Sequence, residues 1–364
     1  MAAAFAYEPR HDGCKQDVAA VHGSAGAAWV AARLADRAPR SAPPLAGRVV
    51  VVTGGTRGIG LAVACAAAAA GARVAILGKT VEPHPRLPGT LATARAAVEA
   101  AAAAATSGGS GSGGGSGVCL ALRCDVRSDA DIAAAVAAIA EWSGGGATTP
   151  GAAPPIDVLI NNASAISLTP TDATAPKAYD LMHAVNGRAT FMTTRACLPH
   201  LRASAAAGRH PHVLTMSPPL EMAAEWFAPH LAYTAAKFAM SVATLGHAAE
   251  LAADGIGVNS LWPRTAVATA AVANLLGGGE VVRCSRTPAV VADAAIAIIS
   301  TDPRRCTGNF FIDEAVLRGA CGADDAAMAR YAVDPTVLVP RTGPGSDDGL
   351  TADFFVPPAL LAKL

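Results

Sequence analysis

The stretch "RVVVVTGGTRGIG", Arg48 to Gly60, constrains this chain more than any other. Four consecutive valines give no polar alternation, so the strand they form has both faces buried, as in a parallel sheet covered by helices. The run then meets glycines at 54, 55, 58 and 60 before an alanine-rich stretch of helical composition, "LAVACAAAAAGA". Glycines straight after a strand permit a tight turn and let a diphosphate approach the backbone. The N-terminus of the following helix favours the negative charge. Gly54, Gly55, Thr56, Arg57, Gly58, Ile59 and Gly60 are therefore expected to cradle a dinucleotide.

The pattern that follows repeats the alternation. "RVAIL" reads as a second strand, "LATARAAVEAAAAAA" as a helix, "VCLALRCDV" as a strand and Asp129 to Trp142 as a helix. "IDVLINNAS" and "HVLTMS" are further strands, separated by a long helix from about Tyr179 to Arg202. A helix from about His230 to Ala253 follows. "GVNSLWP" and "NFFIDE" are late strands around the helical "AVVADAAIAIIS". Strands and helices alternating at these lengths predict an α/β fold with one doubly wound parallel sheet. Two tracts, "TSGGSGSGGGSG" (106–117) and "SGGGATTPGAAPP", carry few side chains that could build a core. They read as Gly-rich loop insertions within a single domain. Residues 1–46 read as a disordered leader, 47–318 as the dinucleotide-binding domain and 319–364 as a C-terminal extension.

Composition excludes several function classes. The formal net charge is zero, which argues against a nucleic-acid partner held by a basic field. The most apolar window, Leu61 to Leu77, is interrupted by Gly71 and Arg73, so no segment reads as membrane-spanning. The eight cysteines form no C-x-x-C pair and the nine histidines no H-E-x-x-H. No metal site is expected, and the cysteines read as small apolar residues of a reducing compartment.

The second strand ends Leu77-Gly78-Lys79-Thr80. An acid at this position grips the ribose 2′-hydroxyl of NAD. Here Lys79 and, in the glycine loop, Arg57 offer cations, so NADP is the expected cofactor. Asp125, at the end of the third strand, is a candidate adenine contact or a cap of the next turn. In "YTAAK", Tyr233 and Lys237 stand at i and i+4 and share a helix face. A free tyrosine titrates near about 10; a neighbouring ammonium stabilises the phenolate, which suits the pair to proton transfer beside a hydride step.

Together TGGTRGIG, NNAS (161–164), Asn186 and YTAAK resemble the short-chain dehydrogenase/reductase superfamily. The strings "GKTVEPHPRLPGT", "NNASAISLT", "SPPL", "AYTAAK", "LWPRTAV" and "TGNFFIDE" are similar, more narrowly, to the hydroxysteroid dehydrogenase-like protein 2 family, from about Gly47 to Glu314. The resemblance implies a Rossmann-type sheet with NADP at the C-terminal edge of the strands. It implies that Asn162 lies beside the cofactor and that Asn186 holds a water in a proton relay. Tyr233 is then the acid/base, and Lys237 binds the nicotinamide ribose. Longer members carry a C-terminal sterol-carrier-like domain, which this chain is expected to lack. It also implies a homo-oligomer through the helices bearing Asn186 and Tyr233.

Three departures from the superfamily stand out. Ser164 replaces its usual glycine, Pro263-Arg264 replaces Pro-Gly, and fifteen residues separate Ser217 from Tyr233, more than the superfamily's usual spacing. Ser217 is a candidate catalytic hydroxyl if it matches the family serine; if that place falls on Pro218, no donor stands there. Trp226 and Phe227 are candidates for an apolar pocket, a subunit contact or plain packing.

The chain ends Ala362-Lys363-Leu364, a conservative variant of the S-K-L address. Peroxisomal residence and an import-receptor partner are expected, with mitochondrion or plastid as the alternative because of the leader. The expected function is NADP-dependent interconversion of a carbonyl and an alcohol on an apolar, fatty-acyl or sterol-like small molecule. The alternatives are a catalytically weak NADP-binding protein that acts through lipid or partner binding, and reduction of a carbon–carbon double bond in an acyl thioester.

Overall fold

The computed structural model describes residues 43–85, 87–106, 117–144, 155–339 and 349–353. The expected leader up to residue 42, most of both Gly-rich insertions and the terminal Ala362-Lys363-Leu364 lie outside these residues. Within them the chain runs β1 (Val49–Thr53), α1 (Gly58–Ala69), β2 (Arg73–Gly78), α2 (Leu91–Thr106), β3 (Cys119–Arg123), α3 (Asp129–Ser143) and β4 (Val158–Asn161). Next come α4 (Pro176–His183), a π-helical turn (Ala184–Arg188), α5 (Ala189–Ala206), β5 (His212–Thr215), α6 (Leu231–Glu250) and β6 (Gly257–Trp262). The last elements are α7 (Ala270–Leu275), α8 (Gly278–Arg283), α9 (Ala289–Ile299), β7 (Phe310–Ile312), α10 (Asp313–Cys321) and α11 (Asp325–Ala329).

The seven strands form one sheet, ordered β3-β2-β1-β4-β5-β6-β7, and every pairing is parallel. The valine run explains itself here. Val50 and Val52 enter one core with α1, α2 and α9, while Val49 and Val51 enter the opposite core with α3 and α5. Strand order reverses between β1 and β4, which opens a crevice at the carboxyl ends of these strands.

The structure refines four sequence expectations. The long helix before β5 is two helices joined by a π turn that carries Asn186. "NFFIDE" is a strand only to Ile312, because Asp313 accepts from the backbone N–H groups of Arg264 and Glu314 at 2.9 and 2.6 Å and opens α10. The described part of the C-terminal extension packs back on the body, through bridges of Ala332 to Arg286 and of Ala352 to Thr265. At the other end, Leu45, expected in the leader, is fully buried, and its N–H donates to Ala70 O at 3.0 Å.

Candidate active site

The glycine loop is built by contacts that leave no room for side chains. Gly54 adopts φ 66° and Gly58 φ 54°, in the left-handed region that glycine enters without strain. A Cβ on Gly60 would lie 2.4 Å from Asn162 Nδ2 and 2.5 Å from Gly54 O; one on Gly54 would lie 2.9 Å from Ala163 Cα. The Thr53 hydroxyl ties the loop to the end of β4, accepting from Asn162 N and Ala163 N at 3.0 Å each. Asn162 Nδ2 returns the contact by donating to Thr53 O at 2.9 Å and Gly54 O at 3.2 Å. Helix α1 starts without a side-chain cap and without an acid in its first turn, so its first N–H groups face the crevice as an anion cradle.

Beside the cradle, the Arg57 guanidinium reaches across the end of β2, donating from Nη2 to Thr80 Oγ1 at 2.6 Å and Gly89 O at 3.1 Å. Its Nε is buried without a hydrogen-bond partner, and burial lowers its pKa. Lys79 lies 3.6 Å from Asp125. Asp125 is held chiefly by Arg127, at 2.5 Å from Nη2, and that hydrogen bond keeps its carboxyl well below the usual carboxylate range. Arg57 and Lys79 thus stand at the tip of β2, and Asp125 is engaged by Arg127 and Lys79. The groups suit a dinucleotide: glycines a Cβ would overfill, an uncapped helix start, and a guanidinium beside them.

Tyr233 and Lys237 are both buried on α6. Lys237 Nζ donates to Met216 O at 2.6 Å and lies 4.8 Å from the centre of the Trp262 ring. Burial pushes its pKa down to about 7, with Asp353 acting in the opposite sense. Burial raises the Tyr233 pKa, the Asp353 charge adds to this, and a side-chain hydrogen bond with Ser164 pulls the other way. The physical reason is that the dry interior disfavours phenolate and ammonium alike.

Asn186 is fully buried. Its Oδ1 accepts from Ala165 N at 2.8 Å and its Nδ2 donates to Ala165 O at 3.0 Å, which clamps the chain just after NNAS. Ser217 is fully buried too; its Oγ lies 3.0 Å from Ser260 Oγ, between β5 and β6. Phe227 packs on Phe238, ring centres 4.9 Å apart, and Trp226 accepts from Thr234 Oγ1 through its carbonyl at 2.9 Å. Phe227 packs against the core, and neither residue lines the cavity that holds Tyr233.

The pocket itself is a cavity of about 310 Å³ with Tyr233 in its wall. Its apolar surface comes from Ile59, Ile166, Trp262, Val272 and Val281. Val272 and Val281 lie on α7 and α8, which sequence reading left unassigned; the signal was Thr269, whose side chain caps α7. The second unforeseen wall is the strap Gly349 to Asp353. Ala266 N donates to Thr351 O at 2.8 Å, Thr351 N to Cys284 O at 2.8 Å, and Asp353 N to Arg264 O at 3.0 Å. Trp262 Nε1 donates to Asp353 Oδ1 at 2.7 Å, so an aspartate stands in the same cavity as Tyr233. No local pattern marks Asp353, because only the return of the chain brings it there.

Arg264, the departure from Pro-Gly, faces inwards. Arg264 Nη1 and Arg286 Nη1 share Glu314 Oε2 at 3.1 and 2.6 Å, and Arg318 Nε reaches Oε1 at 2.7 Å. Its backbone carbonyl, not its charge, serves the pocket by holding the strap. Among the described residues no His/Cys/Asp/Glu cluster has the geometry to hold a metal, and no helix is long and apolar enough to cross a membrane.

The family model of the short chain dehydrogenases matches residues 48–276. The chain belongs to the short-chain dehydrogenase family. Over 80% of its length it is 44% identical to hydroxysteroid dehydrogenase-like protein 2 of Xenopus tropicalis, and the match spans 62% of that relative. It is similar to a solved Xanthomonas campestris protein at 40% identity and TM-score 0.72, covering 86% of this chain and 99% of that one. It is also similar to a metagenomic short-chain oxidoreductase solved in complex with NADP, at 25% identity and TM-score 0.52, covering 74% of this chain and 97% of that one. The short-chain dehydrogenase fold is that of oxidoreductases using NAD or NADP.

Proposed function

We propose that the chain is an NADP-dependent oxidoreductase that interconverts a carbonyl and an alcohol on an apolar, fatty-acyl or sterol-like molecule. The observation that carries this reading is a single cavity joining the Tyr233 wall, an apolar lining and Ile59 of the glycine loop. NADP is favoured over NAD by Arg57 and Lys79 at the tip of β2, and by the NADP bound in the metagenomic relative. The glycine loop, Asn162 and Arg57 would hold the dinucleotide. When bound, it supplies or accepts the hydride.

The chain's own residues handle the proton. Tyr233, protonated near neutrality because it is buried, delivers its proton to a carbonyl oxygen during reduction and takes one back during oxidation. Lys237, whose pKa burial lowers, supports the phenolate at the moment it forms. Asn186 keeps the Asn162–Ala165 segment in place, and the apolar wall excludes water from the reacting bond. Tyr233→Phe tests the reading. Single-turnover oxidation of bound NADPH should be lost with every ketone or 3-oxoacyl-CoA that wild type reduces, and unchanged turnover would refute the mechanism.

One observation favours the catalytically weak alternative: the Ser217 hydroxyl is engaged by Ser260. That reading requires tight NADPH binding without its oxidation across the same compounds. Reduction of an enoyl-CoA instead of a ketone would move the chemistry to a carbon–carbon bond, which product analysis decides. Phe191, Val242 and Leu245, exposed on α5 and α6, suit a homo-oligomer. Ala362-Lys363-Leu364 suits a peroxisomal import receptor; masking Leu364 with a C-terminal tag should abolish import.

A further inference from the structure

The cavity beside Tyr233 has a wall of one kind with a single exception. Ile59, Ile166, Val272 and Val281 make it apolar, and among its described lining residues Asp353 alone carries a formal charge. The carboxylate is held there from several sides. The Asp353 N–H donates to Arg264 O at 3.0 Å, and Arg264 N in turn donates to Asp313 Oδ1 at 2.9 Å. Ala352, next to it, bridges to Thr265. The Trp262 indole fixes the side chain, donating from Nε1 to Asp353 Oδ1 at 2.7 Å. The centre of the same ring lies 4.8 Å from Lys237 Nζ, so the anchor of Asp353 is also a neighbour of the Tyr233–Lys237 pair. A carboxylate offers about four lone-pair sites, and one indole N–H does not exhaust them.

We propose that Asp353 is a specificity-determining residue: it selects a neutral ketone that carries a hydroxyl group near the reacting carbon, and it turns away a carboxylate at that place. The proposal rests on the oxidoreductase reading above and narrows its substrate class. A cavity of about 310 Å³ lies at the small end of ligand pockets, which span roughly 300–1,000 Å³. A molecule whose carbonyl reaches Tyr233 therefore also meets the strap. The group that arrives there decides the outcome. A substrate hydroxyl donates to the carboxylate, and a hydrogen bond to a charged acceptor is about twice as strong as one between neutral groups. A substrate carboxylate brings a second negative charge against the first, in an apolar wall where the repulsion is far stronger than in bulk solvent. A methyl group does neither and only takes water away from the carboxylate. The order of preference at this place is hydroxyl, then methyl, then carboxylate.

The test uses three ketones that differ at one carbon only: 3-decanone, 1-hydroxy-3-decanone and 3-oxodecanoate. NADPH oxidation gives kcat/KM for each, with wild type and with Asp353→Asn, whose amide oxygen can still accept from Trp262. Relative to 3-decanone, wild type should use the hydroxyketone better and 3-oxodecanoate worse, each on the order of 10-fold or more. In Asp353→Asn the ratio of 3-oxodecanoate to 3-decanone should rise on the order of 10- to 100-fold, and the preference for the hydroxyketone should shrink. A purely structural role would slow all three alike and leave the ratios where they were. Equal use of the three ketones by wild type, a wild-type preference for 3-oxodecanoate, or unchanged ratios in Asp353→Asn would each overturn the proposal and leave the oxidoreductase reading standing. No NADPH oxidation by wild type with any of the three, or full activity in Tyr233→Phe, would overturn the oxidoreductase reading and this proposal with it.

Discussion

Removing the charge of Glu314 while keeping its shape should cost more stability than most single substitutions. Glu314 is 1% exposed, and its carboxylate is shared by Arg264, Arg286 and Arg318 at 2.6 to 3.1 Å. Arg264 and Arg286 are themselves 3% and 2% exposed, so neither can turn its charge to water without unpacking. Glu314→Gln preserves volume and some hydrogen bonding but deprives two buried guanidinium groups of this anion. Breaking a buried pair in this way costs about 3–5 kcal/mol. Urea unfolding should show that loss as a lower midpoint at unchanged slope. Adding Arg264→Met should recover part of it, because one buried cation is then gone. The pH dependence has a definite sign. Burial opposes ionisation of Glu314, yet Arg286 and Arg264 hold its pKa down to about 2, from 4.5. Its contribution is therefore complete above 4.5 and is lost as pH falls from there towards 2, and Glu314→Gln should flatten that acid limb. A loss below about 1 kcal/mol, the range of exposed ion pairs, would refute the reasoning.

Arg57→Ala should weaken NADPH binding on the order of 10- to 100-fold by fluorescence titration, as expected for a lost charge-assisted phosphate contact, and leave NADH binding unchanged. Asp353→Asn removes a charge that raises both Tyr233 and Lys237; the alkaline limb of the reductive rate profile should move to lower pH. Asp313 is raised to about 6, from 3.8, by burial, so it binds its proton more tightly folded than unfolded. Wild-type stability should therefore fall between pH 4 and 6 by this term, and Asp313→Asn, followed by thermal unfolding across that window, should gain relative to wild type as pH rises.

What the sequence made legible was local. The valine run, the glycine spacing and the i, i+4 pair of Tyr233 and Lys237 each lie within one element, where backbone geometry alone fixes their relation. The parallel sheet followed from strand–helix alternation for the same reason. What stayed hidden depends on contacts between distant segments. Asn186 meets Ala165 only after the π turn is laid beside the end of β4. The inward turn of Arg264 depends on Glu314, which lies in the first turn of a helix where a strand was expected. Lys237 was placed on the correct face, but its carbonyl partner on Met216 and the dryness around it set its protonation, and burial is a property of the whole core.

The strap that ends at Asp353 sets an order of events in folding. Trp262 and Asp353 are 91 positions apart, and closing a loop of that length costs about 2 kcal/mol more than closing one of ten residues. The sheet is complete by Ile312 and does not use the strap. A newly folding chain therefore acquires its architecture first and its working pocket second. Indole fluorescence from Trp262 would register the second event separately. Completion of the pocket is then a docking step at the end of folding, and a substitution such as Thr351→Pro, which removes the N–H donated to Cys284 O, should leave a native-like molecule held at the penultimate stage.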